Sequence, residues 1–162
     1  MLDIKVLFMD VDGTLTDGKI YMGSEGELFK AFNIKDGYAI HDVLPRHSIT
    51  PVIITGRKSN IVEKRCHELG IALVFQDCRN KSEKMIEIAK MYGLSINDKG
   101  MISKSAFIGD DILDLEAIKI SEYSACPADA ISDLKSEVTY ICNKKGGDGA
   151  VREFIEYLIN NN

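Results

Sequence analysis

Short apolar runs alternate with amphipathic segments along most of the chain. Four of these runs end at polar or glycine residues, which is typical of short buried strands. They lie at residues 6–9, 51–54, 72–75 and 105–108. Between them, residues 59–69 and 81–92 show helical periodicity, with Ser59 as an N-cap and Gly70 as a helix stop. Strands separated by helices predict a mainly parallel sheet covered by helices on both faces.

The remaining segments add smaller elements to this framework. Apolar runs at 20–22 and 28–32 flank a glycine-containing turn and predict a β-hairpin at about residues 19–33, directly after the first strand. Further short strands and helices are expected at 36–45, 114–120, 123–126, 130–136 and 138–142, followed by a terminal helix to about residue 158. The pattern therefore predicts a single α/β, Rossmann-like domain over residues 1–162, with a hairpin insertion too short to form a large cap domain.

Polar side chains follow the predicted strands. In chain order they are Asp10 and Asp12, Thr55, Lys81, and Asp110 with Asp111. Because right-handed crossovers bring the carboxyl ends of parallel strands to one sheet edge, we expect these side chains to converge. Taken alone, the Asp-Gly at the first strand end is equally typical of a tight turn, and the acids at 110 and 111 of helix caps. Convergence favours a functional site.

The predicted cluster has the composition of a metal-assisted phosphoryl-transfer site. Carboxylates as close as Asp10 and Asp12 tolerate burial only with a cation or a shared proton, and Mg²⁺ prefers such oxygen ligands. One carboxylate can act as a covalent nucleophile while a second moves the proton. Lys81 and the hydroxyl of Thr55 would then bind the phosphoryl oxygens.

Composition narrows the possible partners and location. The chain of 162 residues has a formal net charge of −5 and no long basic tract, which argues against nucleic acid. The N-terminus lacks the apolar core of a signal peptide, and no segment is long and apolar enough to suggest a membrane partner. The four cysteines form no CxxC pair, which indicates reduced thiols and a cytoplasmic protein.

Four motifs in order give the chain a family resemblance. They are DVDGT at 10–14, ITGR at 54–57, Lys81, and GDDILD at 109–114. This set resembles the haloacid dehalogenase superfamily of phosphohydrolases. Three further stretches, DGKIYMG at 17–23, KAFNIKDGY at 30–38 and GGDGAVRE at 146–153, resemble its capless 3-deoxy-D-manno-octulosonate 8-phosphate phosphatases. The resemblance covers nearly the whole chain.

The resemblance implies a role for each matching position. Asp10 would be the nucleophile and a metal ligand, and Asp12 the general acid and base, with its backbone carbonyl on Mg²⁺. Asp110 would supply the other metal carboxylate. Thr55 and Lys81 would hold the phosphoryl group, with Asp111 and Asp114 in support. The positions expected to contact the substrate are Asp12, Asn33, Ile34, Lys35, Asp36, Gly37, His41, Arg57, Arg65 and Lys81.

One position departs from the octulosonate pattern. His41 stands where those enzymes carry an arginine, and histidine lacks the permanent bidentate grip of a guanidinium on a carboxylate. Related nonulosonate 9-phosphate phosphatases replace the arginine of the ITGR stretch by glutamate, so Arg57 favours the octulosonate. A nonulosonate or another sugar phosphate is the alternative substrate. A non-catalytic binding or regulatory subunit is the alternative of another class, although Asp10, Asp12 and Lys81 are all present.

The resemblance also implies an assembly. The chain is similar to small capless members that assemble as homotetramers, in which such hairpins pack together and a neighbour's C-terminal segment closes the site. An apolar hairpin in so small a protein suits burial against copies of itself. The glycine-rich stretch at 146–149, just before a helix, is physically suited to approach an anionic ligand.

Overall fold

The computed structural model describes residues 2–161. Its strands are β1 (Val6–Met9), β2 (Tyr21–Gly23), β3 (Gly26–Phe29), β4 (Thr50–Ile54), β5 (Leu73–Phe75), β6 (Ile102–Ile108), β7 (Ser121–Cys126) and β8 (Tyr140–Ile141). Its α-helices are α1 (Ile34–Tyr38), α2 (Leu44–Arg46), α3 (Asn60–Glu68), α4 (Lys81–Met91), α5 (Leu115–Lys119), α6 (Ser132–Lys135) and α7 (Ala150–Asn160). A π-helical turn (Ala39–Val43) joins α1 to α2, and a 3-10 turn (Ile112–Asp114) precedes α5.

Six strands form one parallel sheet in the order β5-β4-β1-β6-β7-β8. β1 lies between β4 and β6, with Met9 beside Ile53 and Ile108. The carboxyl ends of these three strands therefore meet at one edge, as the sequence predicted. β2 and β3 form a separate antiparallel hairpin after β1.

Helices cover both faces of this sheet. Leu7 of β1 packs into a core with Val62 of α3 and Phe154 of α7, whereas Phe8 packs on the opposite face with Met85 of α4. This alternation follows from the two-residue period of a strand. The predicted fold class, a mainly parallel sheet between helices with a small hairpin insertion, is confirmed. Within residues 2–161, no helix combines the length and apolar character needed to cross a membrane.

Several element boundaries differ from the predicted ones. β6 begins at Ile102 instead of residue 105, so the strand includes the polar stretch before residue 105. Within this stretch Lys104 has a φ of 57°, and the register with β7 shifts there. The predicted helix at 36–45 begins at Ile34 and widens into the π-helical turn. Pro45 has no N–H to continue the regular ladder, and the N–H of Leu44 donates to Ala39, five residues back.

Candidate active site

The first acidic loop follows β1 directly. Asp10 is buried, and its N–H donates to the carbonyl of Ile108 at 3.1 Å, so the sheet fixes its position. The carbonyl of Val11 accepts the N–H groups of residues 14, 15 and 16 at 2.9 to 3.1 Å, which closes a tight loop. Gly13 has a φ of +91°, and a Cβ there would lie 2.0 Å from Oδ2 of Asp110. Glycine therefore allows the loops after β1 and β6 to meet.

Lys81 joins acidic residues from two loops. It is the first residue of α4, and its side chain is buried. Nζ lies 2.8 Å from Oδ1 of Asp10 and 2.6 Å from Oδ1 of Asp114. Burial disfavours the charged ammonium group, but the two carboxylates outweigh burial and raise the pKa of Lys81. Lys81 is therefore a fixed positive charge beside Asp10.

The loop after β6 carries a concentrated negative charge. Oδ2 of Asp114 accepts the N–H groups of Asp110 at 2.9 Å and Asp111 at 3.2 Å, which orders this loop. The carboxylate of Asp110 accepts only the hydroxyl of Thr14, at 3.3 Å, among the side chains of residues 2–161. Burial, and then the charges of Asp10 and Asp114, raise the pKa of Asp110 to about 8. Burial and Asp114 likewise raise the pKa of Asp10 to about 6.

This acidic cluster fits a divalent cation. Oxygens of Asp10, Asp110 and Asp114 lie within 4.8 Å of one another. Both oxygens of Asp114 already accept hydrogen bonds, which leaves Asp10 and Asp110 as the carboxylates available to a metal ion. Burial, and then the neighbouring carboxylates, raise both pKa values, and Mg²⁺ would neutralise this buried negative charge. The predicted ligands, these two carboxylates and the backbone carbonyl of Asp12, are compatible with this arrangement.

A pocket of about 280 Å³ opens beside the cluster. Its walls include these residues from the predicted site: Asp10, Asp12, Thr55, Arg57, Lys81, Asp111 and Asp114. Thr55 directly follows β4, is buried, and is fixed by its N–H, which donates to the carbonyl of Phe75 at 2.9 Å. The structure thus brings the predicted polar residues that follow four strands, β1, β4, β5 and β6, together in one pocket.

Two charged residues of the hairpin, which were not predicted from the sequence, contact side chains that line this pocket. Nζ of Lys30 lies 2.5 Å from Oδ1 of Asp12 and 2.9 Å from Oε1 of Glu27, and the Lys30 side chain is only 2% exposed. Glu27 also accepts the hydroxyl of Ser59 at 2.6 Å and lies 3.6 Å from Arg57. A lysine on a short exposed hairpin gives no local signal of burial, because the partners that enclose it are distant in sequence.

The other predicted substrate contacts lie outside the pocket within this chain. They are Asn33, Ile34, Lys35, Asp36, Gly37, His41 and Arg65. Asp36 is buried, its pKa is raised to about 6 by burial, and its carboxylate accepts the N–H of Arg152 at the start of α7, at 2.8 Å. His41 and Arg65 line a separate surface cleft together with Gly37. The role of these residues toward substrate stays a prediction.

The glycine-rich stretch before α7 has a different role from the predicted one. A Cβ on Gly146 would lie 1.9 Å from the carbonyl oxygen of Gly13, and the N–H of Gly147 donates to the carbonyl of Thr14 at 3.1 Å. These glycines therefore pack against the DVDGT loop of their own chain instead of lying open to an anion. The following helix belongs to the core of the same chain, where Phe154 is fully buried.

Comparisons with known proteins agree with this geometry. No protein-family model matches the chain. The chain is 38% identical over 157 residues to the 3-deoxy-D-manno-octulosonate 8-phosphate phosphatase of Salmonella typhi, which covers 97% of this chain and 80% of that protein. The corresponding phosphatase of Yersinia pestis is 36% identical over 157 residues, which again cover 97% of this chain and 80% of that protein. The chain belongs to the 3-deoxy-D-manno-octulosonate 8-phosphate phosphatase family.

Solved structures of the octulosonate phosphatase family share the fold closely. The Moraxella catarrhalis enzyme, in complex with a magnesium ion, a phosphate ion and a KDO molecule, has a TM-score of 0.90 at 36% identity, covering 98% of this chain and 87% of that one. The cobalt-bound Haemophilus influenzae enzyme has a TM-score of 0.89 at 33% identity, covering 98% and 88%. A putative haloacid dehalogenase superfamily hydrolase from Legionella pneumophila has a TM-score of 0.90 at 29% identity, covering 98% and 84%. The resemblance to this superfamily is confirmed.

Proposed function

We propose that this chain is a Mg²⁺-dependent phosphatase that hydrolyses 3-deoxy-D-manno-octulosonate 8-phosphate to the free sugar acid and phosphate. The observation that carries the proposal is the single pocket lined by Asp10, Asp12, Thr55 and Lys81, in which Lys81 lies 2.8 Å from Asp10. The family relatives named for this reaction support the choice of substrate.

In the proposed reaction, a carboxylate oxygen of Asp10 attacks the phosphorus and displaces the sugar hydroxyl. Asp12 gives a proton to the departing oxygen, so that the sugar acid leaves as an alcohol. Asp12 then takes a proton from water as the water attacks the phosphorus of the aspartyl-phosphate, which releases phosphate and restores Asp10. Lys81 and Thr55 bind the phosphoryl oxygens in both steps, where their fixed positions need no reorganisation.

The metal ion would be held by the carboxylates of Asp10 and Asp110 and by the backbone carbonyl of Asp12. When bound, Mg²⁺ supplies positive charge that offsets the repulsion between Asp10 and a phosphate dianion. Asp114 would hold these ligands in position, because its carboxylate binds Lys81 and accepts a backbone N–H of the loop that carries Asp110.

We also propose the homotetramer that the family resemblance implies. Met22, Leu28 and Phe29 of the hairpin are 60%, 61% and 52% exposed, which leaves an apolar surface suited to burial against other copies. A neighbouring subunit would also explain how His41 and Arg65, which lie outside the chain's own pocket, could contact substrate. Light scattering tests this assembly. We expect wild type to be a tetramer and Phe29→Ser to be a smaller species, and a monomeric wild type would contradict the proposal.

We propose a cytoplasmic location because the cysteines are not paired in disulfides. All four cysteines are free, and Cys66, Cys126 and Cys142 are buried. Free thiols are typical of proteins from reducing compartments. Localisation of the tagged full chain by cell fractionation tests this proposal, and recovery from an extracytoplasmic fraction would contradict it.

The substrate is tested by phosphate release from a panel of phosphoesters in the presence of Mg²⁺. The panel contains the octulosonate 8-phosphate, two nonulosonate 9-phosphates and neutral hexose phosphates. We expect kcat/KM for the octulosonate to exceed the others at least about tenfold, which corresponds to about 1.4 kcal/mol of transition-state discrimination. Preference for a nonulosonate would replace the substrate but keep the phosphatase. Absence of release from every ester would favour a binding subunit and overturn the proposal.

A further inference from the structure

Arg79 is a charged residue of the pocket to which neither the sequence motifs nor the proposed mechanism gives a role. It lies in the loop between β5 and α4, two residues before Lys81, and its side chain lines the pocket together with Asp10 and Arg57. It is exposed at the mouth of the pocket, whereas Asp10 and Lys81 are buried at the base.

The loop that carries Arg79 is held in place by its neighbours. The N–H of Cys78 donates to the carbonyl of Thr55 at 3.0 Å, and the N–H of Asp77 donates to the carbonyl of Arg57 at 3.3 Å. Asp77 has a φ of 53°, a left-handed conformation that turns the chain before Arg79. Two strand-end loops are thus tied together, and the two residues directly before Arg79 are held beside the pocket.

The other cations around the pocket already have carboxylate partners. Lys81 contacts two carboxylates, the nearer at 2.6 Å, and Lys30 contacts Asp12 and Glu27. Arg57 lies within 3.9 Å of the same two acids. Over the described range 2–161, Arg79 has no ion pair and its guanidinium makes no hydrogen bond. Its charge is therefore available to an anionic ligand.

We propose that Arg79 is a specificity-determining residue that binds the carboxylate of an acidic sugar phosphate. This inference rests on the proposed function, which gives the substrate two anionic groups at opposite ends of its carbon chain. The phosphoryl group belongs at the buried base, beside Asp10 and Lys81, so the carboxylate at the far end lies toward the rim. A guanidinium there offers the planar pair of N–H donors that a carboxylate accepts. His41 cannot supply this contact within the chain, because it lines a separate cleft.

Three variants test this role: Arg79→Gln, Arg79→Lys, and Arg46→Gln as a matched control that removes one exposed arginine at the end of α2. Each is assayed with Mg²⁺ on the acidic sugar phosphate that the wild type prefers and on a neutral hexose 6-phosphate. Calorimetry measures the Kd of the free octulosonate for the Mg²⁺-loaded protein, which gives a readout independent of turnover.

We expect Arg79→Gln to raise KM for the acidic substrate, and Kd for the free acid, by about tenfold or more, since charged hydrogen bonds to a guanidinium are lost. The value of kcat should stay within about twofold, as should kcat/KM for the neutral ester, because the phosphoryl contacts are unchanged. Arg79→Lys should recover part of the loss, and Arg46→Gln should match the wild type.

An equal loss on acidic and neutral esters would overturn the proposal and assign Arg79 to the phosphoryl group. Unchanged KM and Kd in Arg79→Gln would also overturn it, while leaving the proposed phosphatase intact. A wild type that prefers neutral esters would remove the proposed function itself, an outcome that is seen before any variant is compared.

Discussion

Replacing Asp110 by asparagine is expected to stabilise the metal-free protein while removing a proposed metal ligand. Burial and the charges of Asp10 and Asp114 raise the pKa of Asp110 from 3.8 to about 8. Because this acid binds its proton more tightly in the folded state, its effect on stability becomes more unfavourable as pH rises from about 4 to about 8. Asparagine carries no charge over this range and can still accept the hydroxyl of Thr14.

The size of the effect follows from the same pKa change. One pKa unit corresponds to about 1.4 kcal/mol, so the span from 3.8 to pH 7 limits the cost of the Asp110 charge to about 4 kcal/mol. The repulsion is shared with Asp10, and solvent screens part of it. We therefore expect Asp110→Asn to raise the free energy of unfolding at pH 7 by about 1–2 kcal/mol in EDTA, or Tm by about 2–8 °C.

Thermal unfolding followed by circular dichroism, in EDTA and in excess Mg²⁺, measures this change in stability. The measurements cover pH 5 to 8, which is about the range in which the Asp110 carboxylate becomes charged. Wild type should gain stability from Mg²⁺, whereas Asp110→Asn should gain little. Asp114→Asn is the matched comparison and should lose about 2 kcal/mol, because its oxygens accept Lys81 and two backbone N–H groups. An Asp110→Asn protein less stable than wild type in EDTA at pH 7 would show that the buried charge of Asp110 does not destabilise the metal-free fold.

Two further substitutions test how the loop that carries Asp12 is held. Lys30→Met should lower kcat about tenfold, because Asp12 loses the ammonium group that fixes it, and Lys30→Arg should recover part of the rate; steady-state kinetics with unchanged kcat would contradict this role. Gly146→Ala should lower the free energy of unfolding by about 2–3 kcal/mol in urea titrations, because its Cβ would overlap the carbonyl of Gly13; wild-type stability would show that the two loops can separate freely.

The sheet and the central chemistry could be predicted because both depend on local pattern. The apolar run before Asp10 indicates a buried strand, and the rule for parallel strand ends then brings Asp10 and Thr55 to one edge. The N-cap at Ser59 was predicted in the same way, and its Oγ accepts the N–H of Ile61 at 3.2 Å. In each case the deciding residues lie within a few positions of one another.

The features that could not be predicted, such as the contacts of Lys30 and Gly146, depend on segments that are distant in the sequence. Lys30 reaches Asp12 only because the hairpin folds back over the β1 loop, and the sequence around Lys30 is that of an ordinary exposed strand. The stretch around Gly146 has the composition of an anion-binding loop. Gly146 nevertheless packs against the backbone of Gly13, more than a hundred residues earlier in the chain. Pairings of this kind are set by tertiary packing, so residue types alone could not reveal them.

In the proposed function, Asp10 and a divalent metal ion together hydrolyse the octulosonate 8-phosphate. The most direct measurement is phosphate release from this substrate by wild type and by Asp10→Asn, each with Mg²⁺ and with EDTA, alongside circular dichroism of both proteins. We expect release only by wild type with Mg²⁺, although both proteins should give the same folded spectrum. Turnover by a folded Asp10→Asn would rule out Asp10 as the nucleophile, and turnover by wild type in EDTA would rule out the need for a metal ion.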